Sequence, residues 1–479
     1  MRKYIGILAL LILCAGCSNK EPIKVPSQVQ ELAASVQKEH EQIQKKPIEE
    51  ALYADEHDLD AYFKTFRYLI DHTGKHSPER TFSYREAKAD VDQLFDIFKT
   101  VYGNYEAFGG DEIFQKAQED ILYDLSLEEP LTYDYFSYVL RHRLSFIQDS
   151  HVQIDYQDLH RPMLLYGLKN PVAFKKKDGV YELSGREVKA MNGKRDLDTY
   201  LKPSLQQGKV SYDLYIQTRA VIDHVQVTYA DGTTKDLELA PITPAYDENA
   251  SFHTATKQSI PYMALTRMAF PELSEDSAEE VEEALDYAKE LQDSPVAILD
   301  LRGNTGGNQL LVDSWCKAFT GEQVQGNIIS MLKLPLTDKR FTTYGIDWSQ
   351  DPAEVLKQNT YQKLNDLIYI GSNNIKDKKM IDSDTILFVL QDGYTASAAE
   401  SLIDYLHNVK KVIFVGTPTR GMITGSSFMT IYMEHTSLQV SIGNLSNSAD
   451  SSYAREYYGI QPDLWVQGDA LEAVLSLFK

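Results

Sequence analysis

The sequence predicts an α/β protein whose C-terminal half is a layered, largely parallel sheet, preceded by a helical domain and a small β-rich domain. Three observations carry this. From Ile260 to the end, apolar strands ("IPYMALTRMAF", "PVAILDL", "TILFVLQ", "KVIFVG") alternate with helical patterns such as "SAEEVEEALDYAKELQ" and "SAAESLIDYLHNV", the alternation that builds parallel sheets. Between Pro162 and Pro244 the runs are short and β-rich. From Ile48 to Leu144, apolar and aromatic residues recur at helical spacing instead.

The elements follow in chain order. Arg2 and Lys3, an apolar run from Tyr4 to Ala15 and then Gly16-Cys17 read as a secretory signal over residues 1–17. The run is too short for the roughly 20 residues a membrane-spanning helix needs. Residues 18–46, rich in Lys, Glu, Gln, Pro and Ser with little apolar periodicity, read as a tether. Residues 47–160 form the helical domain, where Ser83-x-x-Glu86 is a capping-box start before "VDQLFDIFKTVY". Residues 161–250 hold "YELSGREVKAMNG" and "VQVTYADGTTKDLELA", the latter with an Asp231-Gly232 hairpin signal. Residues 251–479 are the α/β core.

Composition narrows the function. The 479 residues are 43% apolar and 25% charged, values of a folded chain. A net charge of −22 repels phosphate backbones, so nucleic acid is not an expected partner. Three cysteines, Cys14, Cys17 and Cys316, leave no disulfide framework after processing. Cys316, inside "LLVDSWCKAF", reads as a small buried hydrophobe. No metal or cofactor is expected: G-x-S-x-G, Walker A, H-E-x-x-H, C-x-x-C and G-x-G-x-x-G are all missing, and His72 and His76 sit in a Gly- and Pro-containing loop.

Two strand ends hold the candidate chemistry. "VAILDL" runs into "RGNTGGNQ", where Gly306 and Gly307 either make a plain tight turn or expose backbone N–H groups as oxyanion donors. "TILFVLQ" runs into "DGYTASAAESLIDYLHNV", which puts Ser397 at a helix N-terminus. There it is either a capping serine or a nucleophile served by the helix dipole.

Together these segments resemble a known family. "ILDLRGNTGG", then "TASAAESL" about 90 residues later, then "VGTPTRG" are similar to the core of the C-terminal processing peptidases, or tail-specific proteases, a core shared with the tricorn protease and the interphotoreceptor retinoid-binding proteins. The resemblance implies a crotonase-like spiral core, Ser397 as nucleophile, and an oxyanion hole from the Gly306-Gly307 pair with the N–H of Ala398. It also implies peptide or unfolded-protein substrates. "LCAGC" resembles a bacterial lipobox, with Cys14 where Leu is usual; it implies acylation of Cys17 and a place on the outer face of the cell membrane. "REVKAMNGKRDLDTYL" is similar to the strand-turn-helix of a PDZ module, so the insert is expected to be PDZ-like.

The chain departs from the Ser-Lys branch of that family. Its base lysine would stand at Met422, and a thioether accepts no proton. Lys410 and Lys411 lie at the far end of the helix that starts near Ser397, about 20 Å off at 1.5 Å per residue. "QDSHVQI" and "REYYGIQPDL" instead resemble the tricorn-like branch, which implies His151 as base, with Glu456, through Ser150, orienting the imidazole. The alternative is a non-catalytic lipoprotein that binds a ligand in the same cleft.

Overall fold

The structure, a computed structural model, describes residues 23–43, 81–243, 252–268, 275–324, 326–332, 369–370, 380–448 and 453–479. Cys17, His72 and His76 lie outside them.

The four apolar runs are strands Ile260–Leu265, Val296–Asp300, Ile386–Gln391 and Val412–Gly416, paired in parallel in that order. Their registers align Ile298 with Phe388 and Phe388 with Ile413. Uninterrupted apolar sequence follows from burial on both faces. Helices Glu275–Gln292, Gln309–Thr320 and Ala398–Leu406 cover one face, where Leu299, Val389 and Phe414 meet Trp315, Cys316 and Leu402. Ile298, Phe388 and Ile413 pack on the other face against Ala470, Val474 and Leu477. Cys316 is fully buried, and burial pushes its thiol well up, so it stays inert.

That second face also holds Ser27–His40, a helix where the sequence reading has a tether. Val29, Ala33, Val36 and His40 fall four, three and four residues apart and are all buried. Gln28 Nε2 donates to the Leu477 carbonyl at 3.1 Å, and His40 Nε2 lies 2.9 Å from Asp463 Oδ1. Two valines, an alanine and a histidine make a narrow stripe in an otherwise polar segment, so composition reads as linker while geometry packs it.

The insert is β-rich as expected, with the Asp231-Gly232 turn closing His224–Tyr229 on Thr234–Pro241. The helix of the PDZ resemblance is reduced to one 3₁₀ turn, Leu197–Thr199, followed by strand Leu201–Gln206. That strand pairs in parallel with Leu464–Trp465 through Trp465 and Ser204, so insert and core share one 14-stranded sheet.

The helical domain appears as Tyr84–Val101, Gly110–Leu125 and Tyr133–Arg143, the first opened by the Ser83/Glu86 capping box. It packs on a second sheet through Phe98, Phe114 and Leu140 against Ile431, Val440 and Ile442. Asp90, buried in the first helix, accepts the N–H groups of His435 and Thr436 and the Thr436 hydroxyl, fixing the turn before strand Gln439–Ser448. That strand pairs with Gln153–Ile154, and so carries the preceding residues 149–151 to the core.

Candidate active site

The two strand-end loops are bound to each other. Asp392 Oδ1 accepts from the N–H groups of Gly303, Tyr394 and Thr395 at 2.9–3.1 Å. Thr395 Oγ1 donates to the Leu301 carbonyl at 2.9 Å, and Ala396 N–H to the Asn304 carbonyl at 2.8 Å. This double tie forces a tight corner, and Ser397 turns it with φ 53° and ψ −118°. A residue with a Cβ in that region stores on the order of 1–3 kcal/mol, which persists only when neighbours fix it. Gly306 is one such neighbour. With φ +94° it lies so close that a Cβ there would stand 2.7 Å from the Ala396 oxygen and 2.9 Å from Ser397 Cβ.

The N–H of Gly306 is committed to Asn304 Oδ1 at 2.9 Å. Gly306 is buried and Gly307 exposed. For the N–H groups of Gly307 and Ala398, no partner is found among the described residues. The Ala398 group is one of the donors a helix start leaves open.

Glu400 fills the fourth place of Ser397-x-x-Glu400, the same spacing as at Ser83. Fully buried, it accepts from the N–H groups of Ser397 (2.8 Å), Gly421 (2.8 Å) and Met422 (2.9 Å), and from the Thr419 hydroxyl. Burial raises its pKa against the pull of those donors. Glu400 is not singled out from sequence; its spacing of three from Ser397 is the signal that marks it, while its partners in the 419–422 loop are legible only in three dimensions. Met422 thus joins the site through its backbone. Lys410 and Lys411 pair with Asp382 and Asp384.

His151, on the piece delivered by the second sheet, sets Nε2 3.3 Å from Ser397 Oγ. On its other side Nδ1 lies 3.6 Å from Asp149 Oδ1, while its own N–H donates to the same oxygen at 2.9 Å. Both side chains are fully buried. Asp149 Oδ2 accepts from Tyr102 Oη at 2.9 Å and from Asn104 Nδ2 at 3.1 Å. Burial alone would raise the Asp149 pKa, but its bonds and charge attraction to His151, with the Tyr102 hydroxyl, hold it below the ordinary carboxylate value. Burial likewise pulls His151 down, and the Asp149 carboxylate outweighs it, leaving the imidazole above 6.5.

Glu456 adjoins this pair through Ser150. Its Oε1 accepts from Ser150 N–H (2.7 Å) and Ser150 Oγ (2.6 Å), and its Oε2 from the N–H groups of Ile423 and Thr424 (2.7 Å each). Burial, then the charge of Asp149, push its carboxyl up to about 7. Ser397, His151, Ser150, Glu456, Gly306, Gly307 and Ala398 therefore converge. The carboxylate beside the imidazole nitrogen is Asp149, which the sequence reading quotes in "QDSHVQI" without a role.

Comparison with known proteins adds the following. Residues 259–466 match the family model described as peptidase family S41. No curated protein matches the chain. Among solved structures, mature CPAF complexed with lactacystin is similar at 12% identity and a TM-score of 0.45, over 82% of this chain and 96% of that one. The photosystem II D1 C-terminal processing protease is similar at 15% and 0.38, over 82% and 96%. The tricorn protease is similar at 12% and 0.36, over 80% of this chain and 34% of that one.

Proposed function

On the premise that residues 259–466 form a peptidase family S41 domain and the chain is a serine-type peptidase, we propose that it cleaves peptides or unfolded proteins through an acyl-enzyme on Ser397, with His151 as base. The observation that carries this is the 3.3 Å approach of His151 Nε2 to Ser397 Oγ, at a strained corner between two strand ends. Ser397 Oγ attacks the scissile carbonyl carbon while its proton passes to His151 Nε2. The carbonyl oxygen, now an anion, takes hydrogen bonds from the N–H groups of Gly307 and Ala398; Gly306 backs the corner. His151 then returns the proton to the leaving amine as the carbon–nitrogen bond breaks, and a water, deprotonated by the same nitrogen, releases the acyl group.

The Asp149 carboxylate, 3.6 Å from Nδ1, stabilises the charged form of the imidazole. Glu456 holds Ser150 and the 423–424 backbone, and so sets where residues 149–151 lie. Met422, with no proton-accepting group, takes no part in proton transfer.

Labelling of the intact chain by a fluorophosphonate probe, compared with Ser397→Ala, tests this. Labelling of the parent and loss in the variant are expected; a parent that stays unlabelled while control serine peptidases react overturns the reading.

The "LCAGC" segment supports a further part of the proposal, a lipid on Cys17 that holds the enzyme on the outer face of the cell membrane. Intact-mass analysis of the mature chain is expected to show an acylated Cys17, and an unmodified N-terminus elsewhere overturns it.

A further inference from the structure

This acidic chain carries a groove lined by three arginines. The protein has a net charge of −22, yet an open groove of about 800 Å³ draws Arg141, Arg161 and Arg420 from three separate stretches. Asp158 is the one carboxylate among its lining residues, and Arg420 Nη2 already donates to it at 2.7 Å. Asp155, outside the lining, lies 3.9 Å from Arg141 Nη1. His160 has its pKa lowered, by burial and then by Arg219, so at neutral pH it adds no charge.

A guanidinium carries five N–H donors. Arg141 gives one to Ser137 Oγ at 2.7 Å, and Arg161 is exposed with no ion pair among the described residues. The dipole of helix Tyr133–Arg143 accounts for a cation at its C-terminus, hence for Arg141. It does not account for Arg161 and Arg420, which come from loops. Arg141 and Arg420 are each partly engaged, and Arg161 brings a third guanidinium to the lining with no ion pair among the described residues.

The groove also adjoins the site. Arg420 precedes Gly421, whose carbonyl accepts from Ser150 Oγ at 3.5 Å, and Gln153 of the lining follows His151 by two residues. We infer that this groove seats an acidic stretch of the peptide, Asp or Glu side chains flanking the bond that is cut. This rests on the peptidase reading above and adds a substrate class to it.

The test uses two fluorescein-labelled peptides of one sequence, differing only by Glu or Gln at the flanking positions. Anisotropy is read with the intact chain carrying Ser397→Ala, so binding is measured without turnover. At about 50 mM salt the Glu peptide is expected to bind roughly tenfold more tightly, an advantage that shrinks to about twofold near 0.5 M as charges are screened. Arg161→Gln combined with Arg141→Gln should remove most of that preference, and Arg161→Lys should keep it. Equal binding of the two peptides, or no binding of either, overturns the proposal. So does an oligonucleotide that binds more tightly than the Glu peptide. A surviving charge preference in a chain whose Ser397 never labels leaves the groove standing and removes only the acyl-enzyme mechanism.

Discussion

The imidazole of His151 and the hydroxyl of Ser397 meet at 3.3 Å although 246 residues separate them. Each is delivered by a different sheet. Ser397 follows strand Ile386–Gln391 of the parallel core and caps helix Ala398–Leu406, and His151 precedes the short strand that pairs with Gln439–Ser448. The site therefore exists only where the helical domain and its sheet are seated on the core.

That base assignment predicts a pH profile. Only the neutral imidazole takes a proton, so kcat/KM should be low in acid and rise to a plateau as pH increases. Burial works to lower the step, but Asp149 more than offsets it, so the midpoint should lie above the ordinary 6.5. His151→Ala should cost about 10²–10⁴ in kcat/KM. Steady-state rates across the pH range check both, and an unaltered profile in the variant counts against His151.

Asp149 and Glu456 should separate by what each variant damages. Asp149→Asn removes the charge that favours the imidazolium, so the step should move to lower pH and kcat should fall roughly 10²–10⁴-fold. Glu456→Gln replaces an acceptor of four donors by a group that presents its own N–H to some of them. It should cost about 1–3 kcal/mol of stability, seen as a lower Tm, with a smaller loss of rate. The reverse ranking in kcat would return the orienting role to Glu456.

Tyr102→Phe tests the buttress behind that pair. Without the phenol donor Asp149 is less stabilised as a carboxylate, and its hold on the imidazole weakens. Roughly tenfold slower turnover and a step displaced to lower pH are expected, as for loss of one bond to a charged group.

Gly306→Ala should injure catalysis first. The added methyl meets the Ala396 oxygen and Ser397 Cβ, so relief must come from the corner that holds the nucleophile. A fall in kcat of about 10²–10³ is expected, the scale of an oxyanion donor lost. Full turnover in a folded variant would show that the corner tolerates displacement.

Met422→Leu, close to volume-conserving, should leave kcat/KM within about threefold, because Met422 meets Glu400 through a backbone N–H that Leu retains. A larger loss measured in steady state would give the thioether a role that the geometry does not supply.

What the sequence shows and hides follows from range. The four parallel strands are legible because burial on both faces leaves an unbroken apolar signature. Ser397 and the glycine pair are legible because strand ends in such sheets carry loops. The role of Asp149 is not, since it depends on Tyr102 and Asn104 arriving from 47 and 45 residues away. The strand register that joins insert to core is one pair, Trp465 with Ser204, and strand pairing at that distance leaves no local mark. Helix Ser27–His40 reads as linker because its buried stripe is only Val29, Ala33, Val36 and His40, set among Gln, Glu, Ser and Lys.

On the proposal that Cys17 carries a lipid, docking of that helix has a spatial consequence. Ile23 and Val25 pack on the same face as the helix, so only residues 18–22 separate Cys17 from the packed chain, a leash with a contour length of about 17 Å against roughly 100 Å for the whole stretch to Lys46. Because Val29, Ala33 and Val36 pin the helix to the face opposite Glu275–Gln292, the leash leaves from a fixed point on the body. The peptidase would hover within one protein diameter of the bilayer with a restricted set of orientations, and it would reach chains that emerge at the cell surface before it reached those already diffusing away.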